Sequence, residues 1–114
     1  MRLVVKPGSI VTVSFPYTDL SDIKRRPALA LLVRGDDLVV CGMTSKLSGR
    51  ADAVTVGAED MAEGRLPKRS EVRPLKLFTV HRSLVRTVVG RVKDETLDRV
   101  VGLLTAALAR KRSR

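Results

Sequence analysis

The stretch Pro27–Thr44, "PALALLVRGDDLVVCGMT", decides the fold class. Ala28 to Val33 is an unbroken apolar run of six residues. A run that short is ambiguous between a buried strand and a buried helix segment, and its flanks must arbitrate. On one side stands Pro27, which favours extended backbone before it. On the other, Arg34-Gly35-Asp36-Asp37 is a tight-turn signal. Leu38 to Met43 then supplies a second apolar run. Strand, turn and return strand make a β-hairpin, and the chain around it reads in the same way.

Towards the N-terminus, Lys6-Pro7-Gly8 is a turn, and Ser9 to Phe15 alternates with β-branched residues until Pro16 ends the strand. Thr18 to Lys24, with two Asp and a Ser, reads as a loop. Three cations, Lys24, Arg25 and Arg26, then stand directly against Pro27 and the apolar strand. Towards the C-terminus, Ser45 to Gly49 is a loop and Ala53 to Val56 a short strand. Gly57 to Arg69 is polar and mixed and reads as irregular. Val72 to Val80 is extended with an expected interruption near Pro74, and Val85 to Val92 is a further strand. The end differs. Asp94 is the expected N-cap, with Glu95 in the first turn. Leu97, Val100, Val101, Leu104 and Leu108 form one apolar stripe of an amphipathic helix. The fold class is therefore mainly β, with short antiparallel strands and one C-terminal α-helix. A small β-barrel suits the pattern, because closure removes exposed strand edges.

A chain of 114 residues fits one domain, taken as 1–114 with a basic tail over 110–114. The formal net charge is +10, and without the four cations of that tail 18 basic residues still face 12 acidic ones. The basic body favours a polyanionic partner over a plain solvated surface. Aromatics are only 3% of the residues, with no Trp, which argues against binding through many stacking platforms. The single Cys41 excludes an internal disulfide and fits a reducing compartment. No apolar run approaches membrane-spanning length and no secretory leader pattern opens the chain, so a cytoplasmic location is expected.

Chemistry is easier to exclude than to include. The acids are scattered and there is one His and one Cys, so neither a two-metal centre nor a zinc site is spelled out. No cofactor is expected, and there is no GxxxxGK phosphate loop. Cys41 lies in an apolar run, where a buried thiol is the simpler reading than a nucleophile. His81 reads more readily as structural than catalytic. Arg, Lys, Thr, Ser and Asp remain. Such a set can still break phosphodiesters if the substrate brings its own nucleophile, as RNA does through the 2′-hydroxyl. Arginine would meet developing phosphoryl charge with its planar fork.

The segments "KPGSIVTVSFPYT", "KRRPALALLV", "VVCGMTSK", "SEVRPLKLFTVHRSL" and "VGRVKDETLDRVVGLLTAAL", in that order, resemble the MazF/PemK toxins, the ribonuclease halves of type II toxin–antitoxin pairs. The resemblance implies an SH3-like barrel of the CcdB/MazF type, acting as a homodimer that cleaves single-stranded RNA without metal and is held by an acidic antitoxin. It implies Arg26 and Thr44 as the catalytic pair. It places Ser45 and Lys46 beside the site, Arg73 on another arginine used in part of the family, and Lys24 and Arg25 on the RNA backbone. Leu75 stands where relatives often carry an acid, two positions after that arginine. Asp19 and Asp22 occupy the first loop, where base selection would be set. Two other readings remain at this stage: a gyrase poison of the CcdB type on the same fold, and a non-catalytic basic barrel that binds RNA or DNA.

Overall fold

The computed structural model describes residues 4–16 and 23–110. Seven strands are β1 (Ser9–Pro16), β2 (Ile23–Arg34), β3 (Asp37–Thr44), β4 (Val54–Val56), β5 (Met61–Gly64), β6 (Ser70–His81) and β7 (Val85–Val92). The helix α1 spans Asp94–Ala109 and closes the chain. All strand pairs are antiparallel, in the order β4-β6-β3-β2-β1-β7-β5. The expected barrel takes the form of a curled half-barrel, with β4 and β5 as its two ends.

The hairpin read from Pro27–Thr44 is the centre of this sheet. Gly35 takes a φ of 60°, which its missing Cβ allows, and Arg34 pairs with Asp37 across the turn. The apolar run has a direct cause in its first half: from Ala28 to Ala30, β2 is buried on both faces, while Leu32 is exposed. Ala28 and Ala30 join Val11, Val13, Leu38 and Val40 in one core cluster. Leu29 joins Ile10, Cys41, Val72 and Val100 in another. Full burial of Ile10, Leu29 or Leu38 contributes roughly 1.5–3 kcal/mol each.

Several expectations need correction. The segment taken as a loop up to Lys24 is strand from Ile23 onward, because β1 pairs with β2 from Ile10↔Leu29 out to Pro16↔Ile23. The three cations therefore lie within a strand. The segment Gly57–Arg69 is not wholly irregular: a 3-10 turn at Ala58–Asp60 leads into β5, which pairs with the end of β7. There Gly64 and Gly90 face each other so closely that a Cβ on Gly90 would lie 2.3 Å from the Glu63 carbonyl oxygen. Pro74 does not break β6. Register jumps from Cys41↔Leu77 to Gly42↔Arg73, so Pro74, Leu75 and Lys76 form a bulge. Lys93, not Asp94, is the N-cap, and Asp94 begins the helix. The helix buries Val100 and packs Leu97 and Leu103 against the second cluster, while Val101 and Leu108 are exposed.

Candidate active-site cleft

The pairing of β2 explains why a cleft opens where it does. Its ladder with β1 runs from Ile23 to Leu29, but its ladder with β3 starts only at Ala28↔Gly42. Pro27, one residue earlier, has no N–H to offer a neighbour. Beyond Gly42, β3 stays paired with β6 alone, with Met43↔Val72 and Thr44↔Glu71. The N-terminal third of β2 and the end of β3 thus diverge. Between them lies a cleft of about 490 Å³.

Arg26 and Pro27 line it from β2, Gly42, Met43 and Thr44 from β3, Arg73, Lys76 and Phe78 from β6, and Phe15 from β1. Three residues singled out from the sequence, Arg26, Thr44 and Arg73, therefore meet across three strands. The others do not line the cleft. Lys24 and Arg25 are exposed on the same strand, opposite Phe15 and Ser14. Ser45 and Lys46 are exposed in the bend after β3, although the Lys46 N–H donates to Thr44 Oγ1 at 3.1 Å and so fixes that hydroxyl. Asp19 and Asp22 lie outside the described residues.

Four residues of this region escaped the sequence reading. Lys76 sits in the bulge with its aliphatic stem on Gly42, where a Cβ would meet it at 3.5 Å. Phe15 and Phe78, the only two phenylalanines of the chain, meet with ring centroids 5.2 Å apart at 52°. Phe78 keeps 39% of its surface exposed. The fourth is Glu71, which is fully buried. Its Oε1 accepts from the Ser48 N–H at 2.8 Å and its Oε2 from Arg73 Nε at 2.9 Å, while the Ser48 hydroxyl lies 2.9 Å from both oxygens. The Ser48 backbone N–H above all, with Arg73 and the Ser48 hydroxyl, holds this carboxyl down at about 2 against the cost of burial. The alternation Glu71-x-Arg73 on one strand was the available signal, since such residues share a face.

A smaller hollow of about 250 Å³ adjoins the cleft across Arg73 and Lys76, and contains Arg50 paired with Asp52 at 3.0 Å. Elsewhere, burial pushes the Cys41 thiol up to about 12, which suits a structural role. His81 does not line the cleft. Its Nδ1 accepts from the Ser83 N–H at 3.1 Å and so caps the 3-10 turn Arg82–Leu84. Among the described residues no three His, Cys, Asp or Glu stand together as a ligand set. No described helix is long and apolar enough to cross a membrane.

Comparison with known proteins agrees with this geometry. Residues 6–108 match the family described as the PemK-like, MazF-like toxin of type II toxin–antitoxin systems. Among solved structures, the chain is similar to MazF within a MazE–MazF complex from Deinococcus radiodurans (22% identity, TM-score 0.77, 96% of this chain and 100% of that one). It is similar to an endoribonuclease in complex with its cognate antitoxin from a mycobacterial species (16%, 0.74, 96% and 100%). It is also similar to MazF alone from Deinococcus radiodurans (24%, 0.75, 94% and 98%). At these identities the likeness speaks for the fold. No curated protein matches the chain in sequence.

Proposed function

The chain belongs to the PemK-like, MazF-like toxin family of type II toxin–antitoxin systems, and from that premise we propose that it is a metal-independent, sequence-selective endoribonuclease of single-stranded RNA. The observation that carries the reading is the convergence of Arg26, Thr44 and Arg73 on one cleft, with no carboxylate against Arg26 among the described residues. A cation left unpaired beside a second guanidinium suits a phosphodiester. In this reading the RNA 2′-oxygen attacks the adjacent phosphorus and the 5′-oxygen leaves, giving a 2′,3′-cyclic phosphate and a 5′-hydroxyl. Arg26 and Arg73 meet the negative charge that grows on the non-bridging oxygens. The Thr44 hydroxyl, held by Lys46 N–H, supplies a fixed polar contact at the strand end. Glu71 does not act as the proton acceptor: its oxygens are committed to Ser48 and Arg73, and a carboxyl held near 2 is a weak base. The exposed face of Phe78 offers one base a stacking surface beside the phosphate.

The partners follow from the same surface. An acidic antitoxin segment competes with RNA for the cleft, as the antitoxin complexes among its structural neighbours suggest for this chain. Two copies form a homodimer that covers exposed apolar residues such as Leu75, Leu77 and Leu108. A monomer in sedimentation at micromolar concentration would remove the dimer, and simultaneous binding of antitoxin and RNA without mutual loss would remove the shared cleft.

The deciding experiment incubates the protein with a long single-stranded RNA in EDTA. Discrete fragments ending in 2′,3′-cyclic phosphate are expected, and replacing the 2′-hydroxyl at a cut site by hydrogen should abolish that cut. Loss of cleavage in EDTA with rescue by magnesium would overturn the reading, as would a mobility shift with no cleavage.

A further inference from the structure

A fully buried carboxylate needs a reason, because desolvating an ion is costly unless charge and hydrogen bonds compensate. Glu71 is such a group, and its placement supplies the reason. It stands directly opposite Thr44 in the β3–β6 ladder, two residues before Arg73 on the same strand. One carboxylate thus joins Arg73, which lines the cleft from β6, to the loop that leaves the cleft after Thr44, through Ser48. We propose that Glu71 is a positioning residue that ties the cleft-lining Arg73 to the loop following Thr44 and so fixes the Arg73 guanidinium in the cleft. The proposal rests on the cleft being the RNA-cleaving site.

The atoms engaged make the tether specific. Glu71 takes the Nε–H of Arg73. A guanidinium carries five N–H donors, so the four on its two terminal nitrogens stay available to the cleft that Arg73 lines. Side-on anchoring fixes the plane of the fork while leaving its far edge for a phosphate. Lysine at 73 would have no equivalent of Nε, and glutamine at 71 would present an amide dipole in place of the charge. The Ser48 contacts would largely survive the glutamine change, since the amide oxygen can still accept from the Ser48 N–H. Glu71→Gln therefore separates the arginine arm of the tether from the loop arm, and Ser48→Ala weakens the loop arm alone.

The test is a cycle of Glu71→Gln, Arg73→Ala and the double variant. Single-turnover cleavage at saturating RNA is measured beside the RNA dissociation constant and thermal unfolding. Misplacing a transition-state contact by about an ångström can cost on the order of 10²-fold. Glu71→Gln should lose rate on that order with little change in RNA affinity, and the double variant should be no slower than Arg73→Ala. Losses that multiply in the double variant, or normal cleavage by Glu71→Gln, would overturn the proposal. A second readout needs no activity. The Arg73 Nε–H resonance should be shifted and protected from exchange in the unaltered protein, in Ser48→Ala and in Arg26→Ala, and should lose both features in Glu71→Gln. An unprotected signal in the unaltered protein refutes the tether. A protected signal in a protein that cleaves no RNA upholds the contact but leaves it nothing to position, and so sinks the nuclease reading and the proposed role together. If Glu71→Gln fails to fold, Arg73→Lys takes its place: it should cleave as poorly as Arg73→Ala, and near-normal cleavage would refute side-on anchoring.

Discussion

The hollow at the start of α1 and the cleft between β2 and β6 are alike in size, about 400 and 490 Å³, and both are ringed by charge. Their charges are used differently. In the first, Asp60 accepts from the Gly57 N–H at 2.9 Å and from Thr96 and Arg99 at 3.3 Å, and Glu59 pairs with Arg69 at 3.0 Å. Both acids of the 3-10 turn are paired there, and Asp60 stitches that turn to the helix. In the cleft, Arg26 and Lys76 have no carboxylate partner among the described residues, and only Arg73 has one. Volume alone does not distinguish a structural hollow from a binding site. Whether the lining arginines all have a carboxylate partner does.

The sharpest way to break that contrast is to remove one charge from each region. Arg26→Ala should lower single-turnover cleavage by roughly 10²–10³-fold, the usual cost of a preorganised donor. RNA binding should persist, and Arg26→Lys should recover little, because a point charge lacks the fork. Normal cleavage by Arg26→Ala would empty the cleft of its assigned role. Next in size comes Phe78. If a base stacks on its exposed ring, Phe78→Ala should weaken RNA binding by about 1–3 kcal/mol. Unchanged affinity would leave the two rings as packing only. Asp60→Ala probes the other side of the comparison. It strands buried donors and should cost about 1–3 kcal/mol of stability in denaturant unfolding. Cleavage per folded molecule should stay the same, and a large rate loss with intact stability would erase the distinction between the regions.

How much of this was legible in the sequence depends on how local each signal is. The hairpin Ala28–Met43 was readable because its apolar runs and its Gly-Asp turn lie within a few residues of each other. The start of β2 was not, because Lys24 and Arg25 are held extended by β1, a partner that polarity does not announce. β5 carries the sequence Met61-Ala62-Glu63-Gly64, with no alternation, and exists because the glycine-containing end of β7 lets a backbone approach. Arg26 and Thr44 stood out through resemblance and not through any local physical signal. Glu71 stayed hidden because its meaning comes from Ser48, 23 residues away, and from complete burial. Phe15 and Phe78 looked like two of a few scattered aromatics until the fold brought their rings together from β1 and β6.

The smallest expected effect separates two arginines that are neighbours in the chain. Arg26 pairs with Val13 and lines the cleft, whereas Arg25 pairs with Ser14 and does not. Successive strand residues point to opposite faces, so the two guanidinium groups leave β2 on different sides. On the Arg25 side, Ser14 Oγ accepts from Arg86 Nε at 2.8 Å, which gathers a second cation there. A strand of RNA leaving the cleft over the edge of β2 would meet Arg25 through its backbone, away from the reacting phosphorus. Such a contact holds position and carries no transition-state charge. Arg25→Ala should therefore cleave at the normal rate once RNA saturates, with a raised apparent KM. Its binding should fall less steeply with salt, by about one unit in the slope of log K against log[salt]. Equal rate losses for Arg25→Ala and Arg26→Ala at saturation would place both side chains at the chemistry. The alternation that separates them would then have no functional meaning.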